Sequence, residues 1–190
     1  RWIITTMVKP EVGKSYETGL KNLDELTMNM KPKPKFKTGE VTVADVVSQM
    51  AIGIKVESDM LNMSQVMGSS FGKLVDYTEK TGNQMAGMPF AIWYQWQDTT
   101  KFIFECALPV AGKLKGEGDI RFFNTYAGKA VTVEHWGSYE TSGNSWEVLM
   151  DYVKDNNLEA NGDPYEVYMT DPTTEPNPEK WLTVLYHPVK

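Results

Sequence analysis

A chain of 190 residues, 41% hydrophobic and 23% charged, carries enough apolar side chain for a sizeable core and fits a globular class. A net charge of −6 excludes a surface built to hold nucleic acid, and no run of apolar residues approaches the ~20 needed to span a bilayer. The single cysteine, Cys106, excludes an internal disulfide framework and points to a reducing, cytoplasmic setting.

From the amino end, Trp2 to Val8 reads as a strand rich in β-branched residues. Tyr16, Leu20, Leu23 and Leu26 then recur at helical spacing behind a Ser15 cap. One strand and one helix cannot bury their own apolar faces. Residues 1–30 are therefore expected to be the tail of an upstream domain, and the chain, which lacks an initiator methionine, a piece of a longer polypeptide. Lysines and prolines alternate from Lys31 to Lys35, so residues 31–37 read as an extended linker.

The rest of the chain, residues 38–190, reads as two βαββ units, at about 38–111 and 119–190. In the first, Val43 to Val56 is strand-like and Met63 to Thr81 is an amphipathic helix ended by Gly82. Phe90 to Trp96 and Phe102 to Val110 then form a hairpin about Asp98, Thr99 and Thr100. The glycine-rich stretch from Gly112 to Gly118 is a connector. In the second unit, Arg121 to Tyr126 and Lys129 to His135 supply the opening strand. Ser142 to Asn156 is the helix, with Trp146, Leu149, Met150 and Val153 on its apolar stripe. Tyr165 to Met169 and Trp181 to Pro188 are the closing strands, joined by a proline-rich loop.

The two units repeat one another. At an offset of 75, Phe71 falls on Trp146, Leu74 on Leu149, Ala91 on Glu166 and Trp93 on Tyr168; Gly53 also falls on Gly128. The closing Pro109-Val110 and Pro188-Val189 match at 79. The expected fold is α+β: one curved antiparallel sheet, two helices on its outer face, and a central ligand cavity where the halves meet.

Candidate site residues follow from the strand period. Glu166 and Tyr168 share one face of their strand. A lone carboxylate is costly in a core, so that face is expected to be the concave one, away from the helices. Trp93, Phe104, Trp136, Tyr139 and Trp181 lie on or beside strands and are candidate aromatic walls, which suit a flat, cationic or amphiphilic small molecule. Glu105 is a second candidate carboxylate. Neither His135 nor His187 has partners at metal-ligand spacing, and no cofactor fingerprint occurs, so no metal or cofactor is expected.

The stretch Val133-Glu134-His135-Trp136-Gly137-Ser138-Tyr139, then Pro164-Tyr165-Glu166-Val167-Tyr168, Asp171-Pro172 and Trp181 to Val189, resembles the GyrI-like small-molecule-binding domain. That family includes effector-binding domains of AraC-type and MerR-type regulators. The resemblance implies a pair of βαββ units around an aromatic cavity whose acidic residue meets cationic drugs. It carries that role to Glu166, with Tyr168 beside it. The last strand departs from the family: Thr183-Val184-Leu185 stands where relatives read Thr-Glu-Ile, and Glu105 holds the corresponding place in the first unit. Residues 1–30, through Tyr16 to Leu23, more weakly resemble the end of a START-like (polyketide-cyclase-like) domain.

Three functions stay open. The first is a non-enzymatic module that binds, senses or sequesters a small molecule. The second is hydrolysis of electrophilic xenobiotics, with Glu166 as general base and Tyr168 as hydrogen-bond donor. The third is a protein-interaction role such as gyrase inhibition, with no partner specified by the residues.

Overall fold

A computed structural model describes residues 34–96 and 100–190. The strand and helix expected within residues 1–30, the first three residues of the Lys-Pro linker and residues 97–99 of the first hairpin turn lie outside the described residues.

Among the described residues, nine strands and two α-helices form in chain order: β1 (Lys37–Thr38), β2 (Thr42–Val46), β3 (Met50–Ser58), α1 (Met63–Lys80), β4 (Phe90–Gln95), β5 (Phe102–Pro109), β6 (Ile120–Asn124), β7 (Gly128–Trp136), α2 (Ser142–Asp155), β8 (Tyr165–Tyr168) and β9 (Leu182–Pro188). All pairings are antiparallel, in the order β1-β7-β9-β8-β4-β5-β3-β6, with β2 also on β7.

The centre of this sheet is the junction of the two units. Strand β4 pairs with β8 so that Ala91 faces Glu166, Phe90 faces Val167 and Ile92 faces Tyr165. The offset of 75 equates Ala91 with Glu166, Phe90 with Tyr165 and Ile92 with Val167, so the pairing swaps equivalent residues and a local two-fold axis passes between Ala91 and Glu166. Strands β5 and β3 lie outward on one side of it, and β9 and β7 on the other.

The opening strand of each unit is not continuous, as the sequence had implied. It breaks at Val47–Gln49 and again at Thr125–Ala127, and the first piece of each crosses to the other half: β2 pairs with β7, and β6 with β3. The two crossings are pinned together. Ser48 Oγ donates to the Thr125 carbonyl at 2.8 Å, the Thr125 amide donates to the Gln49 carbonyl at 2.8 Å, and the Gln49 amide donates to Thr125 Oγ1 at 2.9 Å. Register also corrects one part of the repeat. Ile54 pairs with Cys106 as Val133 pairs with Leu185, so β3 and β7 correspond at 79 and Gly53 matches Thr132 rather than Gly128.

Helix α1 packs on β3 and β5, and α2 on β7 and β9. Leu74 and Leu149, equivalent under the repeat, are each fully buried at these contacts. One core joins Ile52, Ile54, Leu74, Phe104, Cys106 and Leu108; the other joins Val131, Val133, Leu149, Val153 and Leu185. The helices pack on the outer strands, and the trough between them, over Ala91, Trp93, Glu166 and Tyr168 of the central pair β4 and β8, is filled by side chains that include Phe71 of α1 and Trp146 of α2.

Among the described residues, the opposite face carries no helix and is concave. If the eight strands from β2 to β6 lay flat, their margins would stand about 34 Å apart at ~4.8 Å per strand. Instead, residues of both margins line one groove of about 570 Å³ together with Phe90, Ile92, Tyr165 and Val167 from the centre.

If the two cores are equivalent, Leu74→Ala and Leu149→Ala should cost similar stability, about 3 kcal/mol each, in chemical denaturation. A loss well under 1 kcal/mol at either position would show that its helix is not anchored as described.

Candidate functional site

Glu166 stands at the centre of the trough. It is only 6% exposed. The alternation of β8 turns it to the same side as Ala91, Cys106 and Leu185, which is the helix side. This corrects the expected concave face. The physical reason is that the helices sit over the outer strands, so a carboxylate on a central strand can face the helix layer and meet polar donors of α2 rather than its apolar stripe.

Hydrogen-bond donors surround the carboxylate. Trp146 on α2 donates its indole N–H to Oε1 at 2.6 Å, and the Tyr168 hydroxyl donates to Oε2 at 3.2 Å. The Trp93 indole and the Ser142 hydroxyl lie close enough to favour the charged form as well. Burial outweighs them and raises the Glu166 pKa above its ordinary value. No lysine, arginine or histidine contributes to that balance among the described residues.

Aromatic rings enclose the site. Tyr168 meets Phe71 of α1 edge-on at 6.0 Å between centroids, and Tyr139 edge-on at 5.3 Å. Tyr139 also packs on Trp181 at 5.0 Å, and Trp181 is held by its indole N–H bond to the Glu175 carbonyl at 2.7 Å. Trp93 leans on Phe104 at 5.2 Å. Burial and the neighbouring Glu166 push the Tyr168 hydroxyl well above the usual phenol range. Two buried polar atoms on this face, Trp93 Nε1 and Thr183 Oγ1, have no hydrogen bond. Such orphans are uncommon in folded proteins; here the Trp93 indole lies near Glu166 and Thr183 stands opposite Tyr168 in the ladder.

Of the residues singled out from sequence, Glu166, Tyr168, Trp93, Tyr139 and Trp181 come together. Phe104 is fully buried beneath Trp93, as core. Trp136 is on the other face, where its indole N–H reaches Glu134 at 3.3 Å. Glu105 is on the other face too, fully buried, bound by Arg121 Nε at 2.6 Å, by Arg121 Nη2 and by the Tyr94 hydroxyl at 2.6 Å. Gly53 makes room for it, since a Cβ there would collide with the Glu105 carboxylate. The concave groove is the wider opening, and its own carboxylates, Asp45 and Asp163, are exposed to water, while the buried Glu105 beside it is paired with Arg121; Glu166 is buried with no such pair among the described residues. Trp146, Ser142 and Phe71 were missed, because Trp146 reads as part of the apolar stripe that carries Leu149 and Val153. Its only sequence signal is the polar tip, which needs an acceptor when buried. Cys106 is a buried thiol pushed up to about 12, chiefly by burial.

The model of the GyrI-like small molecule binding domain matches residues 39–190. The chain belongs to the GyrI-like family. A ligand-binding role for the domain follows from that membership, and no curated protein matches the chain. Among solved structures, the fold is similar to the regulator EcmrR. In its DNA complex the TM-score is 0.72 at 17% identity, covering 100% of this chain and 69% of that one. For the EcmrR C-terminal domain alone the values are 0.67 and 22%, covering 80% and 97%. A hydrolase from Listeria innocua gives 0.57 at 13% identity, covering 83% and 94%. SAV2435 bound to tetraphenylphosphonium gives 0.55 at 13%, covering 80% and 94%. At these identities the likeness establishes the fold.

Because the folded-state pKa of Glu166 is raised, its contribution to stability is complete below the unfolded value and is lost as pH rises through the folded one. Glu166→Gln removes that loss. The stability of the variant relative to the natural protein should therefore grow from acid to neutral pH in denaturation curves. A difference that stays constant with pH would contradict a desolvated carboxylate at this position.

Proposed function

We propose that this domain binds an amphiphilic small cation in the aromatic trough, with the positive charge against Glu166 and the apolar body against Tyr168, Trp93, Tyr139 and Trp181. The observation that carries this reading is a carboxylate buried among N–H and O–H donors with no cation beside it among the described residues. Such a group lacks Coulombic compensation, and a cationic ligand supplies it. The aromatic rings add stacking and cation–π attraction, worth up to about 2 kcal/mol each when water is excluded.

The trough is nearly closed, so a ligand must displace something. Tyr139, at 37% exposure, is the most open ring of the cluster, and Trp146 holds the Oε1 position that a cation would approach. Binding would turn Tyr139 aside and loosen the Trp146 bond. The tetraphenylphosphonium carried by SAV2435, a similar fold, makes that ion the natural first probe.

In calorimetry, tetraphenylphosphonium should bind with favourable dependence on pH, tightening as Glu166 ionises. Glu166→Gln should weaken it about tenfold or more, or ~1.4 kcal/mol. Equal affinity in the variant would refute the electrostatic role.

A second reading is hydrolysis. A carboxylate with raised pKa is a stronger base than an ordinary one, and Tyr168 places a hydroxyl 3.2 Å from it. The similarity to a protein described as a hydrolase supports it by fold alone. Turnover of an electrophilic substrate that disappears in Glu166→Ala would favour this reading; stoichiometric binding without product would favour the first.

A further inference from the structure

Behind the trough, on the far side of α2, lies a closed chain of hydrogen bonds centred on His135. The imidazole is fully buried. Its Nε2 is 3.0 Å from Thr141 Oγ1 and 3.2 Å from the Ser138 carbonyl, while Thr141 Oγ1 donates to that same carbonyl at 2.7 Å. The Thr141 proton is thus spent on Ser138, so Nε2 must carry the hydrogen. Nδ1 is then an acceptor and takes the Ser145 hydroxyl proton at 2.8 Å. Ser145 in turn accepts from Thr38 Oγ1 at 2.7 Å. The direction of every bond follows from one tautomer.

The ends of this chain decide what it can do. Thr38 belongs to β1, which pairs with β7 through Lys37 to Trp136 and Thr38 to His135. Phe36, just before it, stacks on the His135 ring at 6.0 Å. At the other end, Ser145 precedes Trp146, the donor to Glu166. Thr141 and Ser138 fix the turn that holds Tyr139, which packs on Tyr168. Gly137 lets these parts meet. Its φ is 148°, and a Cβ there would lie 2.9 Å from the Phe36 Cβ, 3.0 Å from Thr141 Oγ1 and 3.2 Å from His135 Nε2.

We propose that His135 is a positioning residue that couples the trough to β1: the neutral Nε2–H imidazole sets the first turn of α2 and the Tyr139 turn in register with Thr38. A ligand that turns Tyr139 aside or draws Trp146 away from Glu166 must shift one or both of the elements that His135 ties to β1. Coupling of this kind is reciprocal, so whatever loosens β1 also weakens the ligand. The inference rests on the trough as the ligand site, but the hydrogen-bond chain exists without a ligand, which separates the two tests.

The test uses the full chain and three readouts: the Trp146 indole N–H signal in NMR, hydrogen exchange at the Gly39 amide, which donates to the Glu134 carbonyl at 2.8 Å, and tetraphenylphosphonium affinity. Thr38→Val removes the hydroxyl at nearly constant shape, and Thr38→Ser restores it. In Thr38→Val the Trp146 signal should move and affinity should fall about fivefold. Thr38→Ser should behave as the natural protein. Adding the cation should change Gly39 exchange in the natural protein and leave it unchanged in Thr38→Val. An unaltered Trp146 signal in Thr38→Val overturns the coupling, whatever the affinity does. A displaced signal in a protein that ignores the cation supports the coupling and refutes the cation reading instead.

Discussion

A carboxylate on a local two-fold axis is the constraint around which this domain is arranged. Glu166 faces Ala91 across the β4–β8 pair, and these two positions are equivalent in the repeat. Side chains directly opposite each other in an antiparallel pair stand about 5 Å apart. Two glutamates there would be buried like charges in contact, so only one half can carry the acid. The neighbouring positions follow the same division. Trp146 and Tyr168, which donate to Glu166, correspond to Phe71 and Trp93 in the first unit. One half of the trough is therefore polar and the other mainly apolar, a match for a ligand with a charged end and a hydrophobic body.

The exchange of opening strands gives this site its frame. With β2 on β7 and β6 on β3, each unit completes the margin of the other, and the crossing at Ser48, Gln49 and Thr125 locks the exchange. The sheet curls toward the helix-free side, and the helices ride on the outer strands. That leaves β4 and β8 covered on the helix side by side chains reaching in from the helices, and there the least compensated charge lies. The concave groove, though wider, holds a carboxylate already neutralised: Glu105 with Arg121 and Tyr94, with the Arg121 guanidinium over Phe123 at 4.1 Å. A buried ion pair of this kind is poor evidence of net stabilisation, but it leaves Glu105 little need of a further cation, and the groove's other carboxylates, Asp45 and Asp163, are exposed and screened by water.

Much of this was legible in the residues. Both helices start where the spacing of apolar residues places them and end within a residue of it, and the hairpin strands agree closely, because their periods are set by burial against the core of their own unit. Glu166 stood out because a strand that alternates cannot hide a carboxylate unnoticed, and the mismatch with Ala91 survives as a direct contact across the axis. What the residues did not reveal depends on long-range placement. Which face Glu166 takes depends on where the helices land, and no local pattern encodes that. The break at Val47–Gln49 carries no glycine or proline, so the strand exchange was invisible. Trp146 was read as core because the stripe that meets a helix's core and the edge that meets a site differ by less than one turn. Glu105 was noticed, but its partner Arg121 lies 16 positions away on a strand that crosses between units.

The central claim is that a ligand's positive charge meets Glu166 between the two helices. A crystal structure of the domain with tetraphenylphosphonium tests it most directly. The account predicts the phosphonium against the Glu166 carboxylate, ringed by Tyr168, Trp93 and Tyr139, with the Trp146 bond to Glu166 lengthened or broken. A cation seated in the concave groove, with that bond intact, would contradict it.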